Sequence, residues 1–164
     1  MKFQIRQILE SDIEGYLAAL NEVIAEKRYL LTSDTLSLDH TAEFVKTAIS
    51  NNYALYVAEK ENEIVGWADI IPKQKGSARH TGVLGMGIVA SCRGQGIGKE
   101  LLENVIRHSW EIGLTRLELE VFASNLIAIS LYEHYGFKHE GTKQNARFVD
   151  GEYGDVFIMA QCRI

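Results

Sequence analysis

Apolar and polar residues follow one another along this chain with two different periods, and the changes of period divide it into strands and helices. Alternation over 2–8 predicts a first strand. Helical spacing follows over 11–27, with a Ser-Asp pair at its start as the candidate N-cap, and it returns over 37–52, where Asp39 is the candidate cap. The stretch 28–35 between the two helices is irregular and carries apolar residues.

The second part of the chain repeats these two patterns more clearly. β-rich runs on either side of "EKENE" predict a hairpin over 53–72, which Pro72 closes, and 73–80 is a polar loop. The later elements, in order, are a strand over 81–89, a helix over 99–113 ended by Gly113, a strand over 116–124, a helix over 125–136 ended by Gly136, and a hairpin over 137–161 turning at Asp150 and Gly151.

The order of these elements predicts the fold class. Hairpins at both ends, with strand–helix–strand units between them, are incompatible with a wholly parallel sheet. We therefore expect a mixed α/β (α+β) fold, a mostly antiparallel central sheet of about seven strands flanked by about four helices. Repeats, linkers and low-complexity stretches are absent from the sequence, which favours a single domain over 1–164.

Composition excludes several classes of partner. The formal net charge of -5 argues against a nucleic acid partner, because a grip on phosphates needs clustered Lys and Arg. Cys92 and Cys162 lie far apart in the sequence and make neither a metal-type pair nor a disulfide framework, so we expect no metal. The first residues lack the apolar core of a signal peptide, and no run of about 18 apolar residues occurs, so we expect a cytoplasmic protein with no membrane partner.

Three closely spaced glycines lie between the strand over 81–89 and the helix over 99–113, in the segment RGQGIGKE (93–100). A glycine-rich turn between a strand and a helix directs unpaired backbone N–H groups at the space above the strand end, which is typical of a phosphate site. Glycine leaves room for a ligand and permits a positive φ. Arg93 and Lys99 bracket the turn with positive charge. The alternative is a tight connection whose glycines bind nothing.

Two familiar phosphate motifs do not fit this segment. In the P-loop pattern G-x-x-x-x-G-K-[ST], Arg93 occupies the position of the first glycine and Glu100 that of the last residue. The Rossmann pattern G-x-G-x-x-G begins well at Gly94 and Gly96, but Lys99 falls where its third glycine belongs. A nucleotide hydrolase and a Rossmann dehydrogenase both lose support.

The spacing that fits is Arg93-x-x-Gly96-x-Gly98, which resembles the acyl-CoA pyrophosphate loop, [QR]-x-x-G-x-[GA], of the GNAT superfamily of N-acetyltransferases. Residues 117–141 resemble the family's next core segment, a strand followed by Asn and a helix. The matching helix positions are Ala128, Ile129, Leu131, Tyr132, Glu133, Gly136 and Phe137. The tail "DGEYGDVFIMA" is similar to the close of small bacterial members related to amino acid and polyamine acetyltransferases. The resemblance covers about 53–160.

The resemblance implies acetyl-CoA as the acyl-donor co-substrate and assigns residues to its binding. In the family, the strand before the loop pairs with the pantetheine arm through its backbone, at positions that match Ile88 and Val89. The amides that would take the pyrophosphate are those of Arg93, Gly94, Gln95, Gly96, Ile97, Gly98 and Lys99. Asn125 matches a residue that hydrogen-bonds the pantetheine arm, and it is almost as well placed to cap the helix that follows.

Tyr132 matches the residue that the family commonly uses as general acid. The leaving thiolate of CoA must be protonated or stabilised, and a phenol near the sulfur can do this. The alternative is core packing, which is the usual role of a tyrosine at the border of an amphipathic helix. Tyr135, nearby on the same helix, lacks the support of the motif.

The group that removes a proton from the attacking amine is not identified by the sequence. Some members of the family place a glutamate on the strand before the loop, but 81–89 carries no ionisable residue. The candidates elsewhere, acting directly or through water, are Glu26, Asp69, His80 and Glu120. Asp69 is the most suggestive because a carboxylate within an apolar strand needs a partner or a role, although strand alternation could turn it to solvent.

We expect an acetyl-CoA-dependent N-acetyltransferase that moves the acetyl group directly to a primary amine of a small molecule such as an amino acid or a polyamine. The loop between the first two helices covers the acceptor pocket in the family, which makes Glu26, Arg28 and Tyr29 candidate substrate contacts. Two alternatives stay open: acetylation of a protein amino terminus or lysine, and a non-catalytic acyl-CoA sensor. The oligomeric state, monomer or homodimer, is also open.

Overall fold

The computed structural model describes residues 2–32 and 34–164. Within them the strands are β1 (Gln4–Gln7), β2 (Ala54–Lys60), β3 (Glu63–Pro72), β4 (Thr81–Ile88), β5 (Arg116–Phe122), β6 (Lys138–Val149) and β7 (Glu152–Cys162). The helices are α1 (Ile13–Ala25), α2 (Leu38–Ser50), α3 (Ile97–Glu111) and α4 (Leu126–His134). The expected mixed α/β fold is confirmed, and none of these helices is long and apolar enough to cross a membrane.

All the described strands belong to one sheet, in the order β1-β2-β3-β4-β5-β7-β6. Neighbouring strands are antiparallel except for β4 and β5, which run parallel. The β2–β3 turn uses Glu61 and Asn62 with φ of 53° and 66°, and the β6–β7 turn uses Asp150 and Gly151 with φ of 53° and 82°. Two positive φ values in succession are the geometry of a tight hairpin turn.

Helix starts differ in detail from the sequence expectation. The Ser37 hydroxyl accepts a hydrogen bond from the His40 N–H (3.2 Å), so α2 is capped by Ser37 and the predicted Asp39 cap is wrong. At the start of α1, the Asp12 carboxylate accepts instead from Arg6 (2.7 and 2.9 Å) and from the Leu9 N–H (2.8 Å).

The sheet has two covered faces. Side chains opposite each other on paired strands share a face. On one face the ring of Trp67 meets Tyr16 of α1 edge-on, with 6.1 Å between ring centroids. On the other face α3 lies so close that a Cβ added to Gly66 of β3 would stand 3.5 Å from Leu101. We call these the α1 face and the α3 face.

The parallel strands β4 and β5 separate after a short contact. They pair only through Thr81, Gly82 and Val83, whose partners are Arg116, Leu117 and Glu118. Beyond Val83, the rest of β4 continues to pair with β3, and the rest of β5 pairs with β7. A gap therefore opens in the middle of the sheet, and it connects the α3 face with the α1 face.

Candidate active site

A cleft of about 1460 Å³ occupies the gap between β4 and β5. Its walls come from the separated parts of both strands, the first turn of α3, the α4 helix and the segment that follows α1. The sequence-predicted residues that line it are Tyr29, Ile88, Arg93, Gly94, Gly96, Gly98, Lys99, Glu120, Asn125 and Tyr132. Among the residues that the structure describes, no group of three or more His, Cys, Asp or Glu side chains is placed to hold a metal ion.

The turn before α3 presents a row of free amides. Gly94 and Gly96 have φ of +74° and +84°, a conformation that favours glycine, and a Cβ added to either would meet nothing within 4 Å. No described residue accepts a backbone hydrogen bond from the amides of 94–99. These donors, together with the positive end of the α3 dipole, are arranged in a way that suits an anion.

Gly98 serves a different purpose in the same turn. A Cβ at this position would stand 3.2 Å from the Ile88 side chain and 3.5 Å from Met86. Glycine therefore lets the first turn of α3 approach β4 closely, which brings the free amides to the end of the cleft.

The edge of β4 that faces the cleft has unpaired backbone groups. The Val89 N–H donates to the Val65 carbonyl (2.9 Å), and alternate residues of an antiparallel strand point to opposite sides. Met86 and Ile88 therefore direct their N–H and C=O groups towards β5, beyond the last pair that the two strands make, and of these four groups the Ile88 carbonyl is already bonded to Arg93 Nε (2.9 Å). The Val89 amide is engaged with β3 in this structure and is not free for a ligand, contrary to the expectation for that residue.

The side chain of Arg93 is bound within the protein. Its guanidinium makes two hydrogen bonds to the Glu26 carboxylate (2.8 and 2.9 Å), donates through Nε to the Ile88 carbonyl (2.9 Å), and lies 4.4 Å from the centroid of the Tyr29 ring. The hydrogen bond to Glu26 is the main cause that raises the pKa of Arg93. The positive charge expected beside the glycine turn is thus paired at Arg93, whereas Lys99 is exposed.

Tyr132 extends from α4 into the cleft. It is 8% exposed, and its ring packs edge-on against Phe137 with 5.9 Å between centroids. No described residue forms a hydrogen bond with its hydroxyl. Burial raises the pKa of Tyr132, so the phenol is a proton donor at neutral pH. Tyr135, by contrast, lies outside the cleft and donates its hydroxyl to Glu103 (2.6 Å).

Asn125 caps α4 and also lies on the wall of the cleft. Its Oδ1 accepts a hydrogen bond from the Ala128 N–H (3.2 Å), which confirms the N-cap of α4. Its Nδ2 makes no hydrogen bond to a described residue, and the side chain lines the cleft. The amide can therefore donate to a ligand while the oxygen holds the helix.

The structure places the four candidate bases in different surroundings. Glu26 is paired with Arg93, and Glu120 forms an ion pair with Lys143. His80 is exposed at the far end of β4 and does not line the cleft. Asp69 on β3 is partly buried and makes no hydrogen bond or ion pair with a described residue. Burial raises the pKa of Asp69 to about 7.

Arg28 is not brought into the candidate site. It is exposed and does not line the cleft, whereas Tyr29, Leu30 and Leu31 after it do. The side chain of Gln95 also turns away, because its Oε1 accepts a hydrogen bond from Lys60 of β2 (3.1 Å).

A charged network at the narrow end of the cleft was missed by the sequence reasoning. Glu118, in the last β4–β5 pair, is held by Lys73 and by Arg116 (3.1 and 3.2 Å). Arg116 also makes two hydrogen bonds to Glu140 (2.6 and 3.0 Å). The alternation in "RLELE" places Glu118 on the same face as Glu120, which is the signal that could have found it.

This geometry defines a class of enzyme. Free amides for a phosphate group, an open strand edge for an extended arm and a protonated phenol lie in one cleft, as acyl transfer from a CoA thioester requires. Residues 18–137 match the Acetyltransferase (GNAT) family. The chain belongs to this family and is an acetyl-CoA-dependent acetyltransferase.

Individual proteins agree with this assignment. The L-amino acid N-acetyltransferase AaaT of Escherichia coli (strain K12) is 30% identical over 109 residues, which cover 65% of this chain and 67% of that protein. The crystal structure of ribosomal-protein-alanine N-acetyltransferase from Brucella melitensis has a TM-score of 0.91 at 25% identity and covers 98% of this chain and 99% of that one. The phosphinothricin acetyltransferase of Sinorhizobium meliloti, solved in complex with AcCoA, shares the fold with a TM-score of 0.92 at 20% identity, over 99% of this chain and 89% of that one.

Proposed function

We propose that this enzyme transfers the acetyl group of acetyl-CoA directly to the primary amine of a small molecule, such as an amino acid or a polyamine, in a ternary complex. One observation carries the proposal: the free amides of 94–99 and the unpaired hydroxyl of Tyr132 open onto the same cleft. A donor anchored at the amides can extend along β4 and bring its thioester towards the phenol.

The residues of the cleft fit each part of acetyl-CoA. The amides of 94–99 would take the pyrophosphate, and glycine at 94 and 96 leaves the approach open. The free N–H and C=O of Met86 and the free N–H of Ile88 would pair with the amide groups of the pantetheine arm as an added strand does, while the Ile88 carbonyl stays bonded to Arg93. On the opposite wall, the Nδ2 of Asn125 would donate to the same arm.

Tyr132 would complete the reaction. The amine nitrogen forms a bond to the thioester carbonyl carbon, the carbon–sulfur bond breaks, and the sulfur leaves with the electron pair. The phenol gives its proton to this thiolate and regains one from the nitrogen, so that an amide and the free thiol of CoA are the products. No enzyme nucleophile is needed, and Cys92, next to the loop, is buried.

The segment after α1 and the β6–β7 hairpin support a small acceptor. Arg147 of the hairpin donates to the Lys27 carbonyl (3.0 Å), and Lys27 lies 3.8 Å from Asp150 in the hairpin turn. Because these two segments touch where the loop after α1 would cover the acceptor, they narrow the groove that a peptide acceptor would need. The relatives' names include both an L-amino acid and a ribosomal protein as acceptors, so the contact between these two segments is the observation that favours a small acceptor.

We place the reaction in the cytoplasm. Acetyl-CoA is an intracellular metabolite, and a donor-dependent enzyme must meet it there. Cys92 and Cys162 are both free thiols, as is usual where the surroundings are reducing.

The test is release of the CoA thiol from acetyl-CoA with a panel of amino acids, polyamines, aminoglycosides and short peptides. We expect a small amine to be turned over at least ten times faster, in kcat/KM, than any peptide. Release with peptides alone would transfer the proposal to protein acetylation. Binding of acetyl-CoA with no release for any amine would identify a sensor and contradict the enzymatic proposal.

A further inference from the structure

We propose that Asp69 takes the proton from the acceptor amine, through one water molecule at the Gly85 edge of the cleft. The inference rests on the proposed function and adds to it the group that makes the amine nucleophilic. An alkylammonium has no lone pair, so it must lose a proton before it attacks the thioester.

Other carboxylates near the cleft are already paired. Glu118 is bound by Lys73 and Arg116, and Glu120 by Lys143. Glu26 makes two hydrogen bonds to Arg93. A carboxylate held by a guanidinium or an ammonium is a weak base, because the positive partner favours the ionised form.

The backbone of β4 brings Asp69 next to the cleft. Asp69 and Gly85 are direct cross-strand partners, so their side-chain positions share the α1 face. A Cβ on Gly85 would stand 3.3 Å from Asp69 Oδ2 and 3.5 Å from Oδ1. Gly85 itself lines the cleft. Asp69 itself does not line the cleft, but because glycine has no side chain, none at position 85 stands between the carboxylate and the cleft.

The surroundings of Asp69 keep it available as a base near neutral pH. The titratable group that faces it is Tyr16 of α1, whose own pKa is raised first by burial and then by the charge of Asp69. Its cross-strand neighbours, Leu55 on β2 and Gly85 on β4, carry no charge. Since no cation among the described residues offsets the burial, the pKa of Asp69 lies at about 7 instead of the ordinary 3.8. A base acts best with a pKa near the working pH.

The proton balance is complete without another reactant. The ammonium N–H bond breaks, and the proton passes through the water to an oxygen of Asp69. The freed lone pair forms the carbon–nitrogen bond. A second nitrogen proton restores the Tyr132 phenol after it has protonated the thiolate, and Asp69 later releases its proton to solvent.

The test compares Asp69→Asn with Glu63→Gln, an exposed carboxylate on the same strand as its matched control. We expect wild type to have an acidic limb near pH 7 in its profile of kcat/KM against pH, and we expect Asp69→Asn to lower kcat/KM by about 100-fold or more and to remove that limb. Asp69→Glu should recover part of the rate. The Kd for acetyl-CoA should stay within about twofold, since the donor site is untouched. Glu63→Gln should keep the rate and the limb.

The results separate the two proposals. If wild type turns over no amine, the proposed function fails. If wild type is active and Asp69→Asn keeps its rate and acidic limb, the assignment of Asp69 fails while the function stands. If Asp69→Asn does not fold, the test uses wild type alone. The profile of kcat/KM against pH is then measured with several acceptors whose amines differ in pKa. A limb that stays near pH 7 supports Asp69, and a limb that moves with the amine pKa overturns it.

Discussion

At the scale of single residues, we propose that loss of the CoA thiolate depends on the Tyr132 hydroxyl. We expect Tyr132→Phe to lower kcat by roughly 100-fold and to leave the Kd for acetyl-CoA nearly unchanged, because only the proton donor is removed from a ring packed on Phe137. Tyr135→Phe is the matched control, since its hydroxyl is bound to Glu103 outside the cleft. Steady-state rates and calorimetric titration measure the two quantities.

If Tyr132→Phe kept the full rate, Tyr132 would not be the general acid that protonates the CoA thiolate. The same conclusion would follow if Tyr135→Phe lost as much activity as Tyr132→Phe, because the loss would then come from the packing of α4. Either result would return Tyr132 to the core-packing role that the sequence left open.

The raised pKa of Asp69 also predicts how the stability of the protein depends on pH. Its pKa in the folded protein is about 7, against an ordinary 3.8, so the folded protein binds more protons than the unfolded chain between these values. Stability therefore falls as pH rises through this window, and burial of the ionised carboxylate costs up to ~4 kcal/mol above it. Asp69→Asn should have a higher Tm than wild type at pH 8 and a similar Tm at pH 3.5. Equal Tm values at both pH values would contradict the raised pKa.

Single residues divide into those the sequence could identify and those it could not. Tyr132 and Asn125 lie within one short local segment that resembles the GNAT core, and this resemblance predicted their place at the cleft. The pairing of Glu26 with Arg93 joins residues 67 positions apart, and no local pattern reports such a contact. The same is true of Asp69, whose value as a base depends on a missing side chain across the sheet at Gly85.

At the scale of elements, the turn before α3 depends on the conformation of Gly96. Its φ of +84° costs a residue with a side chain about 1–2 kcal/mol. If the turn rearranged to relieve that strain, its amides would no longer point at one and the same anion. We expect Gly96→Ala to weaken acetyl-CoA binding at least tenfold, as a calorimetric Kd measures. Gly76→Ala is the control, because that glycine has open space and an ordinary φ. An unchanged Kd for Gly96→Ala would exclude these amides as the pyrophosphate site.

The end of α1 is joined to the same turn by Glu26 and Arg93. Their side chains are 24% and 31% exposed, so solvent screens the pair in part. We expect a double-mutant cycle with Glu26→Gln and Arg93→Met to give a coupling of about 1 kcal/mol in urea unfolding, decreasing as salt is added. The free-energy contributions of the contacts that Arg93 makes with Ile88 and Tyr29 cancel in the cycle, because these contacts do not involve Glu26. A coupling near zero would show that the acceptor-side segment and the donor loop are independent.

Elements themselves were well predicted, because periodicity is a local property. The order of strands and helices and both hairpins follow from apolar spacing and turn residues. The end of helix α3 at Gly113 is also confirmed, with φ of +93°. The separation of β4 from β5 after Val83 could not be derived from spacing, because it depends on which strand each one pairs with across the sheet.

At the scale of the whole molecule, the gap in the sheet joins the proposed CoA site to the proposed acceptor site. In the proposed reaction, the glycine turn and Tyr132 would bind and release CoA at one end, while Asp69, Glu118 and the segment after α1 would form the acceptor side on the α1 face. The acyl group would cross the sheet through the gap. We therefore expect both substrates to be bound at the same time when the acetyl group moves.

Initial rates measured over a matrix of acetyl-CoA and acceptor concentrations test this central claim most directly. Direct transfer in a ternary complex predicts double-reciprocal lines that intersect, with no acetyl group on the protein after incubation with acetyl-CoA alone. Parallel lines, together with an acetylated enzyme detected by intact-protein mass, would show a covalent intermediate and contradict the account.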